Sequence, residues 1–135
     1  MVSRFLLLIA LIIWGCSKTP QNNITPKWIY LSPSQNGTIG GVGMSGKHID
    51  GKTGQRELAI SRALDEIAKQ LGTKVTTIQK IDMNGNSSSI NSNIETYSFQ
   101  TAEGKVVKSA IESIWYDEKN DEIYILMVVR GFATN

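Results

Sequence analysis

The chain has 135 residues, with 14 Lys and Arg against 12 Asp and Glu, one His and one Cys, for a formal net charge of +2. That length supports one apolar core and is too short for two ordinary domains. The near-neutral balance excludes the basic surface expected of a nucleic-acid binder. A single cysteine excludes any intrachain disulfide. In chain order, Arg4 supplies one positive charge, and an unbroken apolar run follows from Phe5 to Trp14, closed by Gly15 and Cys16. A bilayer span needs about 20 apolar residues, and this run falls short. A charged start, a short apolar stretch and a small residue at the cut site are the marks of a secretory signal.

Ile13-Trp14-Gly15-Cys16 resembles the lipobox of bacterial lipoproteins, although Trp14 stands where that pattern prefers a small residue. The resemblance implies that the signal 1–15 is removed, that Cys16 is the lipidation site, and that its new amine is acylated as well. One acyl chain contributes about 0.8 kcal/mol per buried methylene and holds only marginally, so two or three make a durable anchor. Loss of Arg4 with the signal lowers the formal charge by one, and acylation of Cys16 consumes the thiol that a metal or nucleophilic site would need. In the sorting rule that accompanies the lipobox, aspartate after the cysteine retains a protein at the inner membrane. This chain has Ser17, which implies the outer membrane as its location.

Residues 16–27 are polar, carry Pro20 and Pro26 and have no apolar period, so they read as a flexible tether. The folded domain, 28–135, is expected to begin near Trp28. Trp28–Leu31 is a short apolar run ended by Ser32-Pro33, and Asn36-Gly37 is a turn signal. Thr38–Ser45 reads as a strand whose glycines point to close backbone approach. After a loop, 46–53, the spacing predicts a helix over Gly54–Leu71. Ile60, Ala63, Leu64, Ile67, Ala68 and Leu71 form its apolar face, and Gly72 falls at the C-terminal cap. Arg62 with Glu66 and Asp65 with Lys69 are opposite charges at i,i+4.

Thr73–Met83 is rich in β-branched residues and reads as a strand, and 84–93 reads as a polar loop. Ile94–Thr101 places Tyr97 and Phe99 on one face if extended. Val107, Ala110, Ile111, Ile114 and Trp115 have helical spacing, which leaves Lys105–Glu112 ambiguous. Glu122–Arg130 reads as a buried strand, and Asp117–Asp121 as the turn of a hairpin. One long helix followed by successive strands predicts an α+β fold with the helix packed on an antiparallel sheet.

Gly46-Lys47-His48-Ile49-Asp50-Gly51-Lys52-Thr53 satisfies the phosphate-loop pattern GxxxxGK[ST], and Gly41–Gly46 satisfies GxGxxG. A working phosphate loop would direct Lys52 at the terminal phosphates and Thr53 at magnesium. Three arguments count against nucleotide binding. Such a domain needs several parallel strands with crossover helices, and this chain shows one clear helix. Asp50 would place a negative charge in the cradle. An exported compartment holds little nucleoside triphosphate. Lys52 is therefore expected to be a solvated side chain beside the helix start.

His48, the one histidine, cannot build a histidine metal cluster, and no GxSxG surrounds a serine. Asp117, Glu118, Asp121 and Glu122 lack calcium-loop spacing and read as a solvated turn. These observations imply no catalytic residue, no cofactor and no metal, and a protein that is not an enzyme.

Pro26–Ile29, Gly40–Gly43, the helix segment Ala59–Ala68, Thr73–Val75, Ile114–Asp117 and Ile123–Val129 together resemble a family of small bacterial outer-membrane lipoproteins. The family is named for the twenty-kilodalton lipoprotein of Helicobacter, and related domains occur in flagellum-associated outer-membrane lipoproteins. The resemblance implies a βαββ-type, dodecin-like layer and a lipid-anchored envelope protein of structural or assembly role. Its partners would be the membrane through the lipid on Cys16, further copies of itself or another envelope protein, with no nucleic acid and no nucleotide. The alternative is a periplasmic module that binds a small ligand or a cell-wall fragment through Trp28, Tyr97, Phe99 and Trp115.

Overall fold

The computed structural model of the protein describes residues 24–31, 37–81 and 95–133. The signal 1–15, Cys16, most of the tether and the polar loop 84–93 lie outside the described residues. A 3-10 turn at Lys27–Ile29 begins the described chain, close to the predicted start of the domain. Strand β1 (Gly40–Ser45) leads through a short loop into helix α1 (Gly51–Gln70). Four strands follow: β2 (Val75–Ile81), β3 (Thr96–Thr101), β4 (Val106–Asp117) and β5 (Glu122–Ala133).

The strands form one sheet in the order β1-β5-β4-β3-β2, and every neighbouring pair is antiparallel. This is an α+β fold with one helix packed on an antiparallel sheet. The strand count differs from the expected βαββ order: four strands, not two, follow the helix, and β1 closes the sheet beside the last of them.

The apolar stripe of α1 is buried as its spacing requires. Ala59, Ile60, Ala63, Leu64, Ile67 and Ala68 pack with Tyr97, Phe99, Val107, Ile123, Ile125 and Met127 from one face of the sheet. Leu71 is half-buried at the margin of this core, and Gly72 takes φ +68°, the left-handed conformation of a helix C-terminal cap. The charged face differs from expectation. Lys69 pairs with Glu66 at 2.5 Å, and Arg62 donates to the Met44 carbonyl oxygen at 2.7 Å. A backbone acceptor at the edge of β1 thus takes the guanidinium that spacing assigns to Glu66.

β1 touches the helix backbone directly. A methyl group at Gly41 would stand 2.3 Å from the Ala63 carbonyl oxygen, and one at Gly43 would stand 1.8 Å from that of Ala59. Glycine is the only residue that permits this contact, because Cβ atoms do not approach other heavy atoms so closely.

β4 resolves the ambiguous segment as a strand. Its register with β5 shifts between Ile111 and Ser113, which inserts one residue and sets the inward positions Ile111 and Ile114 three residues apart instead of two. Ala110 and Trp115, on the opposite face, add further apolar positions. A bulge and two apolar faces together mimic helical spacing.

Two substitutions test this packing by chemical denaturation. Gly43→Ala must push α1 away from β1 and is expected to cost about 1–3 kcal/mol or more. Gly46→Ala, with open space around its Cβ position, should stay within about 0.5 kcal/mol. Leu64→Ala, which empties a fully buried site, should cost about 2–5 kcal/mol.

Candidate functional site

The chemistry-bearing side chains of the described residues gather around the first half of α1, at the corner motif and in a groove beside it. The helix begins at Gly51, earlier than the expected Gly54, so Lys52 and Thr53 lie in its first turn. No acidic residue occupies that turn and Asp50 makes no side-chain cap. The negative charge that a helix N-terminus favours comes instead from the β4–β5 hairpin. Asp121, at φ +53°, directs its carboxylate to Lys52 and also accepts from the Tyr116 hydroxyl. The Lys52 ammonium sits 3.9 Å from the centre of the Tyr116 ring. The hydrogen bond from Lys52 is the main reason that the Asp121 carboxyl is held below its usual range.

Lys52 is an ion-paired residue whose side chain is still 64% exposed, so the expected solvated position beside the helix start holds and gains the contacts with Asp121 and Tyr116. Asp121 is likewise more than part of a solvated turn. Of the other hairpin carboxylates, Asp117 accepts from the Lys119 and Asn120 amides, and Glu122 accepts from the Tyr124 hydroxyl at 2.8 Å. Among the described residues no three His, Cys, Asp or Glu side chains converge as metal ligands.

Gln55 ties this corner together. It is 2% exposed, and its amide nitrogen donates to the Asp121 carbonyl oxygen at 2.6 Å and to the Ser45 carbonyl oxygen at 3.3 Å. One side chain thus links the end of β1, the start of α1 and the hairpin. Within the loop, His48 packs against Gly54, where a Cβ would meet its Nδ1 at 2.3 Å, and the Asp50 amide donates to that nitrogen at 3.1 Å. The segment that matches the phosphate-loop pattern is filled by its own imidazole, and its lysine is directed to a carboxylate.

Beside this corner, a groove of about 640 Å³ runs between α1 and the sheet, lined by Arg56, Ile60, Ile78, Lys80, Glu95 and Tyr97 among others. Glu95 is its polar centre. Its carboxylate receives Arg56 at 3.2 Å, Lys80 at 3.5 Å and the Tyr97 hydroxyl at 2.9 Å. Partial burial works against its ionisation, but the hydrogen bonds from Tyr97 and Arg56 and the two positive charges outweigh it, so its pKa lies below the usual 4.5. Tyr97 is pushed up to about 12, first by burial and then by the same hydrogen bond.

The four aromatics proposed as ligand contacts do not converge. Tyr97 and Phe99 belong to the core, with only Tyr97 reaching the groove. Trp115 packs on Tyr124 on the opposite face of the sheet, with ring centroids 5.4 Å apart, and Trp28 is half-buried in the 3-10 turn. Arg56, Glu95 and Gln55 are the residues that sequence reasoning missed. Gln55 had a legible signal, since it extends the apolar stripe one turn before Ala59. Glu95 had none, being brought to Arg56 only by the tertiary fold.

Comparison with protein families, with curated proteins and with solved structures finds no match to this chain.

Three measurements test this description. Gln55→Leu keeps the volume but removes the buried hydrogen bonds to the Ser45 and Asp121 carbonyls, at an expected cost of about 1–3 kcal/mol in urea denaturation. Lys52→Ala should lower the melting temperature, with part of the loss recovered in Lys52→Arg. For Glu95 the sign follows from a folded-state pKa below the unfolded one. Its contribution is complete above the unfolded value and is lost as pH falls through the folded value. The urea midpoint should fall as pH drops through the usual 4.5 and below it, and Glu95→Gln should flatten that part of the curve.

Proposed function

We propose that this chain is a lipid-anchored cell-envelope protein with a non-enzymatic, structural or assembly role, located at the outer membrane. The observation that carries the reading is the position of the chain's one cysteine, directly behind a charged start, a short apolar run and a small residue. Residues 17–27 then supply a polar spacer between lipid and domain. The described part of the domain fits the role of a displayed surface. Lys52, which a phosphate loop would use, is engaged by Asp121 and Tyr116, and His48 fills its own loop.

A second reading, a module that binds a small ligand or cell-wall fragment, draws support from one feature. The groove pairs an apolar floor at Ile60 and Ile78 with the Arg56–Glu95–Lys80 cluster at its wall, the mix of apolar lining and few polar groups common to ligand sites. Titration of the full chain in detergent with soluble peptidoglycan fragments separates the two. Saturable binding that is lost in Arg56→Ala would favour the second.

The anchor is tested by metabolic labelling with an alkyne-tagged fatty acid. The wild-type chain should take up label, whereas Cys16→Ser should take up none and should accumulate as the uncleaved precursor. Labelling that survives in Cys16→Ser would overturn the proposal.

A further inference from the structure

The two edges of the sheet are treated differently. At the β1 edge, the side chains of α1 occupy the backbone acceptors. Arg62 donates to the Met44 carbonyl oxygen at 2.7 Å and Gln70 to that of Gly40 at 2.6 Å. The segment Ile29–Leu31 lies beside the same edge, next to Gly40–Val42. An edge covered in this way cannot accept another strand.

The β2 edge has no such cover among the described residues. No side-chain hydrogen bond ends on a backbone group of Val75–Ile81, and the only pairing of the strand is with β3. Helix α1 lies over β1 and β5 and barely reaches β2. Ile78, on the helix side of the sheet opposite Phe99, is left 38% exposed at the lip of the groove. The strand has seven residues, no proline and one charge, Lys80, with a bulge at Thr76 near its start. Beyond that bulge, from Thr77 to Ile81, its unpaired backbone groups are a template for further pairing.

We infer that β2 is a self-association edge, at which two copies of this chain pair antiparallel about Ile78 to make one continuous ten-stranded sheet. The strand's own sequence selects a second copy as the occupant. In an antiparallel two-fold arrangement about Ile78, each residue faces the one equally far on the other side of the centre. Ile78 then faces Ile78 of the second copy and Thr77 faces Gln79, within the regular stretch that follows the bulge at Thr76. No like charges are opposed, and the exposed Ile78 side chains cover each other on the helix side. The Lys80 ammonium remains with Glu95 of its own chain, which leaves it little reason to repel the approaching strand. The tether is placed to permit this, since the 3-10 turn at Lys27–Ile29 lies against β5 near the opposite edge.

The inference rests on the assembly role proposed above and gives that role a surface and a partner. Anchoring on one membrane would raise the local concentration of copies and favour the pairing.

The test uses the full chain, extracted from membranes in mild detergent. Light scattering, corrected for bound detergent, should give a dimer mass for the wild type and a monomer mass for Ile78→Lys, which sets two lysines opposite each other. Ile78 is partly exposed, so the variant should keep the wild-type circular dichroism and melting behaviour. Ile78→Cys should form a disulfide-linked dimer under mild oxidation, because directly opposed residues of antiparallel strands lie within disulfide reach. Ile49→Cys, 97% exposed in the loop before α1, should not. A dimer that persists in Ile78→Lys, a monomeric wild type, or an Ile78→Cys thiol captured by a different protein would each overturn the inference. A cross-link already present in the parent chain through Cys16 would count against the lipid anchor alone, so the two readings fail separately.

Discussion

The contact on which the rest of this structure depends is the bare backbone approach of β1 to α1 at Gly41 and Gly43. With no Cβ in the way, the helix settles onto the strand with the Ala59 and Ala63 carbonyls against it. Several features follow from that proximity. The helix sits over β1 and β5, so the buried core is built from its small and branched residues together with Ile123, Ile125 and Met127. Arg62 and Gln70 come near enough to bond the outer carbonyls of β1, closing one edge of the sheet. A helix displaced to that side cannot also cover β2, so a groove opens over Ile78 and the second edge is left without a cap. A seal at one edge and an opening at the other are two consequences of the same pair of glycines.

The corner at the helix start is a second consequence. Bringing α1 onto β1 places its first turn beside the β4–β5 hairpin, where Asp121 balances a lysine at the positive end of the helix dipole. Gln55, buried and bonded to two backbone carbonyls, makes this junction specific, because an apolar residue there would lose both bonds. The coincidence of residues 46–53 with a phosphate-loop pattern is explained on the same footing. Gly46 joins strand to loop, Gly51 permits a positive φ of +68° at the helix start, and Gly54 accommodates the His48 ring. Gly51 and Gly54 thus have packing reasons that require no phosphate.

Much of this was legible in the amino-acid sequence, where local physics decides. The stripe from Ile60 to Ala68 specified the helix and its buried face, Gly72 its end, and the glycines of β1 the close approach. The alternation of Tyr97 and Phe99 marked the inward face of β3. What was not legible depends on partners distant in the chain. Arg62 and Lys69 had the spacing for i,i+4 pairs, but a strand carbonyl and a nearer glutamate took them instead. Lys52 is solvated as expected, but its ion pair was hidden because Asp121 lies 69 residues away. Glu95 meets Arg56 and Lys80 only after β2 and β3 have paired. β4 misled for a different reason: a bulge and apolar residues on both faces reproduce the period of a helix.

The described part of the folded domain carries a groove, a capped edge and an open edge. Under the proposed lipid anchor, the amino-terminal segment would set where these surfaces are displayed. A lipid on Cys16 would confine them to a membrane plane, turning weak edge-to-edge contacts into useful ones and making an assembly role physically economical. The most direct test of that account is the intact mass of the protein purified from the cell envelope. The mature chain should begin at Cys16, with that amino-terminal residue heavier by a diacylglyceryl group and an amide-linked acyl chain. An unmodified mass, or a chain that still carries Met1–Gly15, would contradict it.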